Sequence, residues 1–298
     1  MSTRDKDEGD GCTSVDSMRI FFLGSTKFSL HCLKVALDCG MRIVGCAWTP
    51  EVFKISYAPD GQQNMNYVDF KLVAADLHVP CIHYERGNLR GFIEQVAPLR
   101  PELLLVAGWY YMVPKKLRDV ARLGAVGLHG SLLPKYRGGA PLVWAMINGE
   151  KEAGLTLFHL NDHVDAGDII GQEPFQIGDT DTIANLLGKV DVAAEKLLRT
   201  YLPTIANGSA PCIPQNETEA TYVPQRKPED GLIDWSKSPT EIWNFIRAQT
   251  KPYPGAFTFM AGKKVTIYDA KIEMAEPILA VTTPGSEVKE RRVLSEVE

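Results

Sequence analysis

The chain has 298 residues, of which 45% are hydrophobic and 23% charged, and its formal net charge at pH 7 is −5. These values are typical of a globular protein of two domains and exclude disordered or collagen-like chains. The acidic balance, without a dense run of lysine and arginine, does not favour wide nucleic-acid binding.

The amino-terminal residues 1–17 are acidic and polar, and they contain no apolar segment of the kind that a secretory signal needs. We expect a disordered extension there, folding from Met18 onwards, and a cytoplasmic protein. The sequence contains no run of about 18 apolar residues, so it predicts no transmembrane helix. The six cysteines form no CxxC pair, which predicts reduced thiols rather than disulfides.

Short apolar runs alternate with amphipathic segments in the first third of the chain. Near-continuous apolar strands separated by helices are typical of a buried parallel sheet, so we predict an α/β, Rossmann-like fold. The predicted strands cover 18–24, 42–48, 79–84 and 102–108, and the predicted helices follow Gly24 and lie around 67–78 and 89–96.

The turn after the first predicted strand reads Gly24-Ser25-Thr26-Lys27 and holds a single glycine. The GxGxxG fingerprint of dinucleotide-binding proteins is therefore missing, and the chain has no GxxxxGK[ST] loop. The sequence predicts a Rossmann-like sheet that binds neither a nicotinamide cofactor nor ATP in the usual way.

The carboxy-terminal third changes character after a helix-rich segment at 181–206. A turn-forming run at 207–211 marks a domain boundary, which predicts a larger domain at 18–206 and a smaller one at 207–283. A helix at 240–249 and a hairpin within 255–272 make the smaller domain mostly β. The charged segment 284–298 is expected to be a poorly ordered tail.

The most informative segment is the string HGSLLPKYRGGAP at 129–141, together with DAGDI at 165–169. A strand leads into His129, which places an imidazole at the carboxyl edge of the sheet, where ligands of open α/β folds bind. Taken alone, a histidine there is more often structural than catalytic, and an Asp-Ala-Gly sequence more often a turn.

These two strings, in this order and spacing, resemble the formyltransferases that use 10-formyltetrahydrofolate. That family includes methionyl-tRNA formyltransferase, glycinamide ribonucleotide formyltransferase and the amino-sugar N-formyltransferases. The resemblance covers about residues 18–272 and is closest to the UDP-4-amino-4-deoxy-arabinose type, on the further evidence of NGE at 148–150 and PYPGAF at 252–257. It implies an OB-like fold for the smaller domain and 10-formyltetrahydrofolate as co-substrate.

The resemblance also implies catalytic roles that suit the chemistry. Attack of an amine on a formyl carbon needs a donor beside the oxygen and a base for the amine proton. His129 is expected to be the donor and Asp165 the base, whose charge favours a protonated imidazole. Ser131 is expected to brace the imidazole or the loop, although a plain turn serine is an equal alternative.

Gly127 departs from the family pattern, because an asparagine that helps to hold the oxyanion normally stands two residues before the histidine. Losing one such donor costs about 10²–10³ in rate unless another group replaces it. Three explanations stay open: another donor or water fills the gap, the enzyme is slow or specialised, or the protein binds without normal turnover.

The remaining site residues are implied by position. The pterin of the donor is expected between two short segments, whose residues are Trp109, Tyr110, Tyr111 and Met112 on one side and Asn161, Asp162, His163 and Val164 on the other. The acceptor is expected at the loop residues Lys135, Tyr136, Arg137 and Gly138, where cations suit a diphosphate or an RNA end, although a solvated loop is an equal alternative. Trp235, Trp243 and Tyr253 stack on a nucleotide or, more commonly, pack in a core. The sequence contains no pair of residues with the spacing of metal ligands, so we predict no bound metal.

The leading functional prediction is formylation of a nucleotide-linked amino sugar or a related small amine. Formylation of methionyl-tRNA is the second prediction, and a folate- or nucleotide-binding protein with weak turnover is the third, motivated by Gly127. Hydrolysis of the donor to formate stays open as well. No membrane partner is expected, and the sequence leaves the oligomeric state open, a homodimer included.

Overall fold

A computed structural model of the chain describes residues 17–55 and 58–273. The predicted extension, apart from Ser17, and the predicted charged tail lie outside the described residues, so both stay predictions. Within these described ranges, no helix has the length and apolar composition needed to cross a membrane.

The described residues form both strands and helices. The strands, in chain order, are β1 (Arg19–Leu23), β2 (Arg42–Trp48), β3 (Val52–Ile55), β4 (Ala58–Gln63), β5 (Cys81–His83), β6 (Leu103–Val106), β7 (Ala125–His129), β8 (Arg137–Gly138), β9 (Glu152–His159), β10 (Ile169–Gln176), β11 (Tyr222–Val223), β12 (Ala256–Met260) and β13 (Lys263–Ile267).

The α-helices, in chain order, are α1 (Lys27–Asp38), α2 (Phe70–Asp76), α3 (Leu89–Val96), α4 (Lys115–Arg118), α5 (Pro141–Ile147), α6 (Ile183–Ala206) and α7 (Pro239–Arg247).

Seven strands form one mixed sheet in the order β10-β9-β7-β6-β1-β2-β5. The five strands from β7 to β5 run parallel, which confirms the Rossmann-like prediction. At the other edge β9 runs antiparallel to both β7 and β10. The sheet is therefore mixed rather than all parallel. A short loop joins the antiparallel strands β9 and β10, whereas a longer connection separates β7 from β9.

Both faces of the sheet are buried, as its near-continuous apolar strands predict. Successive side chains of β1 point to opposite faces, so Ile20 and Phe22 belong to one core cluster and Phe21 and Leu23 to the other. Helices α1 and α6 cover the first face, and α3 covers the second.

Local signals fix where several helices begin. Thr26 caps α1 by accepting a hydrogen bond from Ser29 N, and Ser29 Oγ bonds back to Thr26 N. Asp69 caps α2 by accepting from Lys71 N. Because this cap precedes Phe70, α2 is shorter than the helix predicted over 67–78.

The carboxy-terminal part contains a small sheet and one helix. Strands β12 and β13 pair as the hairpin predicted around Ala261 and Gly262, and α7 corresponds to the helix predicted over 240–249. Ser238 and Glu241 cap α7 reciprocally. The fold is thus a Rossmann-like domain with a smaller carboxy-terminal sheet domain.

Candidate active site

A cavity of about 250 Å³ opens at the carboxyl ends of β6 and β7. These neighbouring strands are parallel, with Val106 opposite Gly127, so the segments that follow them meet at one edge of the sheet. The residues that line the cavity are Val106, Gly108, Trp109, Tyr111, Met112, Val113, Gly127, Leu128, His129, Gly138, Phe158, Leu160, Asn161, His163 and Asp165.

His129, the last residue of β7, is buried, with 9% of its surface exposed. Its Nε2 lies 2.8 Å from the carbonyl oxygen of Tyr136. Because a carbonyl only accepts, Nε2 carries a proton and donates it. The other ring nitrogen, Nδ1, lies 3.5 Å from Asp165 Oδ2. The structure therefore brings together the two residues predicted to be catalytic.

Asp165 lies in the loop between β9 and β10 and has left-handed backbone geometry, with φ of 51°. Its Oδ2 accepts a hydrogen bond from Gly138 N at 2.8 Å in addition to facing His129. Tyr136 and Ala140, in the loop after His129, also have positive φ, 58° and 51°. Non-glycine residues in this region cost about 1–3 kcal/mol each and tend to cluster at functional sites.

Ser131 braces the loop rather than the imidazole. Its Oγ donates to the carbonyl oxygen of Lys135 at 2.6 Å. Thr156, fully buried on β9, donates to the carbonyl oxygen of Ser131 and accepts from Leu133 N. Thr156 thus fixes the start of the loop, a role that its place within an apolar strand did not indicate.

The first predicted pterin wall is formed in part. Trp109, Tyr111 and Met112 line the cavity, whereas Tyr110 does not. The ring of Tyr110 packs against Phe53 at a centroid distance of 4.7 Å, and its hydroxyl donates to Asn64 Oδ1. Tyr110 therefore anchors this wall from behind, a correction to its predicted place beside the pterin.

The second predicted wall is also formed in part. Asn161 and His163 line the cavity, whereas Asp162 and Val164 do not, and the contact of this segment with the pterin stays a prediction. Asp162 is instead ion-paired with Arg118 at 2.7 Å, and this hydrogen bond holds the pKa of Asp162 below its usual value.

Arg118 joins the two walls and was not predicted. Its Nη1 donates to the carbonyl oxygens of Val113 and Asn161, one on each wall, at 2.7 and 2.9 Å. The residue is buried, with 9% of its surface exposed. No feature of its neighbourhood in the sequence marks it, because Asn161 and Asp162, its partners on the second wall, lie 43 and 44 positions along the chain.

The predicted acceptor loop behaves differently at each position. Gly138 lines the cavity, Lys135 is exposed, and the Tyr136 hydroxyl donates to Glu150 Oε1 at 2.6 Å. Arg137 is fully buried and ion-paired with Glu217 at 2.7 Å. The prediction that the Arg137 cation faces an acceptor is therefore wrong, since its guanidinium is turned into the protein.

The aromatic residues that were predicted to stack on a nucleotide or pack in a core do not line the cavity; they are Trp235, Trp243 and Tyr253. Tyr253 packs against the main core, and burial raises its pKa. Trp235 is exposed and donates its Nε1 to Thr258 Oγ1 at 2.9 Å, while Trp243 is half-buried.

Gly127 lines the cavity with an ordinary strand backbone. A Cβ added there would lie 2.9 Å from Leu160 Cδ2, the end of a flexible side chain. Leu160 therefore occupies the space into which a side chain at position 127 would extend. In the described residues, no group of three or more histidine, cysteine, aspartate or glutamate side chains could hold a metal ion.

Comparison with known families gives two matches. A model of the formyl transferases matches residues 58–202, and a model of the formyl transferase carboxy-terminal domain matches residues 226–293. Together they cover more than half of the chain.

Solved structures with the same fold are similar along most of their length. A 4-N formyltransferase from Francisella tularensis superposes with a TM-score of 0.66 at 19% identity, covering 86% of this chain and 99% of that one. An N-formyltransferase from Helicobacter canadensis, in complex with folinic acid and dTDP-3-aminofucose, has a TM-score of 0.61 at 21% identity and coverages of 83% and 86%. The methionyl-tRNA formyltransferase from Clostridium thermocellum has a TM-score of 0.59 at 19% identity and coverages of 86% and 94%.

Proposed function

Because the chain belongs to the formyltransferase family, we propose that it transfers a formyl group from 10-formyltetrahydrofolate to the amine of a nucleotide-linked amino sugar or a related small amine. The observation that carries this proposal is the pairing of His129 Nδ1 with Asp165 Oδ2 at 3.5 Å in the wall of the cavity. A histidine and a carboxylate in contact supply the proton movements that formyl transfer to an amine requires.

The cavity fits the folate donor by its chemistry. Aromatic and aliphatic side chains suit the faces of a flat heterocycle, and Trp109, Tyr111 and Met112 provide one such wall. The cavity is also lined by polar side chains, those of His129, Asn161, His163 and Asp165. The indole Nε1 of Trp109 is buried and has no hydrogen-bond partner among the described residues. A buried donor without a partner costs about 1–3 kcal/mol, and solvent does not reach this one.

The donor supplies the formyl carbon and a tetrahydrofolate leaving group, and the protein supplies the proton movements. The Nε2 proton of His129 is held by the Tyr136 carbonyl, so proton exchange is confined to Nδ1. From Nδ1 the imidazole can donate to an oxygen that gains negative charge. Asp165 uses Oδ2 for Gly138 and His129, which leaves Oδ1 to take the amine proton. As the oxyanion collapses, the bond from the formyl carbon to the donor nitrogen breaks, and that nitrogen leaves with the proton that Asp165 received.

The acceptor class rests on two considerations. The similar enzyme from Helicobacter canadensis was solved with dTDP-3-aminofucose, and the net charge of −5 suits a small acceptor better than a polyanionic RNA. Gly138 lines the cavity, and we expect Lys135 and Tyr136, which lie beside it on the same loop but do not line the cavity, to contact the acceptor.

The test is tetrahydrofolate release from 10-formyltetrahydrofolate with a panel of acceptors: nucleotide-linked amino sugars, small amines and methionyl-tRNA. We expect release that depends on an amino-sugar nucleotide. His129→Ala should abolish this release. His83→Ala is its control, because this exposed histidine stacks on Trp48 and does not line the cavity. Release without any acceptor would indicate hydrolysis, and release with methionyl-tRNA alone would replace the proposed acceptor.

A second candidate is a folate- or nucleotide-binding protein with weak turnover. It is favoured by Gly127 and by the apolar Leu160 side chain that occupies the adjoining space. Tight binding of the folate donor without release for any acceptor would support this second function and contradict the first.

A further inference from the structure

We propose that Arg137, on the loop after His129, and Gln215, on a segment between the two family matches, are positioning residues that hold the His129–Asp165 pair in place. The proposal rests on the proposed function for its catalytic meaning. The segment is 213–223, which follows the first family match, ending at residue 202, and precedes the second, beginning at residue 226.

The guanidinium of Arg137 is fully buried and makes hydrogen bonds along its whole edge. Nε and Nη2 donate to Gln215 Oε1 at 3.1 and 2.7 Å. Nη1 and Nη2 donate to the two carboxylate oxygens of Glu217 at 2.9 and 2.7 Å, and Nη1 also donates to the Tyr222 hydroxyl at 2.8 Å. Such a forked set of contacts is specific to arginine, since a lysine ammonium cannot span it.

Gln215 passes this constraint to the catalytic loop. Since Arg137 only donates, it fixes Oε1 of Gln215 towards itself and turns Nε2 the other way. Nε2 donates to the carbonyl oxygens of Asp165 and Gly167 at 2.9 and 2.7 Å. One side chain thus bridges the buried arginine and the backbone that carries the catalytic carboxylate.

The residues on either side of Arg137 contact both catalytic groups through their backbone. The carbonyl of Tyr136 accepts from His129 Nε2, and the amide of Gly138 donates to Asp165 Oδ2. The parallel pairing of β8 with β11 holds this stretch, because Arg137 N donates to Thr221 O at 2.8 Å. A shift of Arg137 therefore displaces the partners of His129 and Asp165 together.

This arrangement explains how the positive φ angles at Tyr136 and Asp165 are maintained. Unfavourable backbone geometry persists only where the surroundings over-determine it. The Arg137–Gln215 network supplies that constraint on both sides of the catalytic pair. A misplacement of about 1 Å at reacting groups, caused by a change away from the chemistry, can cost about 100-fold in rate.

The test compares Gln215→Met and Gln215→Glu with a matched control, Gln249→Met. Gln249 also accepts from an arginine, Arg226, and donates to a backbone carbonyl, that of Phe245, but it lies away from the cavity. Gln215→Met removes both sets of contacts, whereas Gln215→Glu keeps the oxygen that Arg137 needs and loses the donor to Asp165.

We expect both Gln215 variants to lower kcat by about 10-fold or more with the KM for the donor within about twofold, and the control to leave kcat unchanged. Hydrogen exchange at the Gly138 amide, read by NMR, should accelerate in both Gln215 variants only. Unchanged kcat in an active enzyme, or unchanged exchange at Gly138, overturns the proposal. If the wild type transfers no formyl group, the proposed function fails and the exchange measurement alone decides the positioning role.

Discussion

His129 and Asp165 meet because β7 ends at the histidine while the loop between β9 and β10 returns to the same edge of the sheet. Backbone of the loop holds both side chains: Tyr136 O accepts from His129 Nε2, and Gly138 N donates to Asp165 Oδ2, the oxygen that also faces His129. At the scale of single residues, the site is therefore a pair whose orientation is set by the main chain, with Nδ1 and Oδ1 left for chemistry.

Gly127 leads to the first prediction at this scale. An asparagine there would add a hydrogen-bond donor beside the cavity, but its Cβ would lie 2.9 Å from Leu160 Cδ2. We therefore expect Gly127→Asn combined with Leu160→Ala to raise kcat for formyl transfer by up to about 100-fold. Leu160→Ala alone serves as the control. Equal kcat in the wild type and the double variant would show that another group already meets this need.

Sequence patterns indicated the two residues that we propose to react more readily than the residues that contact them. His129 and Asp165 stand in strings with a recognisable order, and both reach the cavity. Arg118 and Gln215 act on backbone carbonyls that lie far away in sequence, and such contacts leave no local pattern. Arg137 was predicted correctly to belong to the site loop but wrongly to face the acceptor, because a motif does not say which way a side chain turns.

At the scale of elements, two very short strands hold the loop that carries the contacts of the catalytic pair. Strands β8 and β11 pair over two residues each and join the loop after His129 to the segment before the carboxy-terminal domain. The ion pair of Arg137 with Glu217 reinforces this joint, and the hydrogen bond from Arg137 lowers the pKa of Glu217. The joint is therefore sensitive to acid.

The second prediction follows from the sign of that shift. A carboxyl whose pKa is lower in the folded protein stabilises the fold above its unfolded pKa, about 4.3 for glutamate, and loses this contribution as the pH falls through its folded pKa. We expect Glu217→Gln to have a lower Tm than the wild type at pH 7, with the difference closing below about pH 4. A difference in Tm that stays constant over this pH range would contradict the assignment.

The elements themselves were predicted to different degrees for physical reasons. Strands β1, β2 and β6 are continuous apolar runs buried on both faces, and α3 has one apolar side, so their patterns are strong. Strands β3 and β4 were not predicted, since their sequences, VFKI and APDGQQ, carry no strand alternation over a useful length. The two-residue strands β8 and β11 are defined only by their pairing.

At the scale of the whole molecule, a cavity lies at the carboxyl edge of a Rossmann-like sheet. The segment 213–223 contacts the loops that border this cavity. The domain boundary predicted at 207–211 follows the end of α6 at Ala206 and stays a prediction. The acidic net charge of −5 supports the proposed small acceptor over an RNA, because RNA binding depends on a cationic surface.

The third prediction concerns this charge. We expect transfer to an amino-sugar nucleotide to change less than about threefold between about 50 and 200 mM salt, and methionyl-tRNA to bind weakly throughout, since few phosphates are neutralised. Binding and rates measured in parallel at each salt concentration test this expectation. Tight tRNA binding that falls steeply with salt would favour the RNA acceptor instead.

The most direct measurement of the central claim is acceptor-dependent tetrahydrofolate release by Asp165→Asn beside Asp168→Asn. The first change keeps the shape of the catalytic side chain and removes its charge, whereas Asp168 lies three positions further on and does not line the cavity. We predict that Asp165→Asn lowers kcat by about 10²- to 10⁴-fold while Asp168→Asn stays within about threefold of the wild type. Full activity in Asp165→Asn would contradict the assignment of Asp165 as the base for formyl transfer.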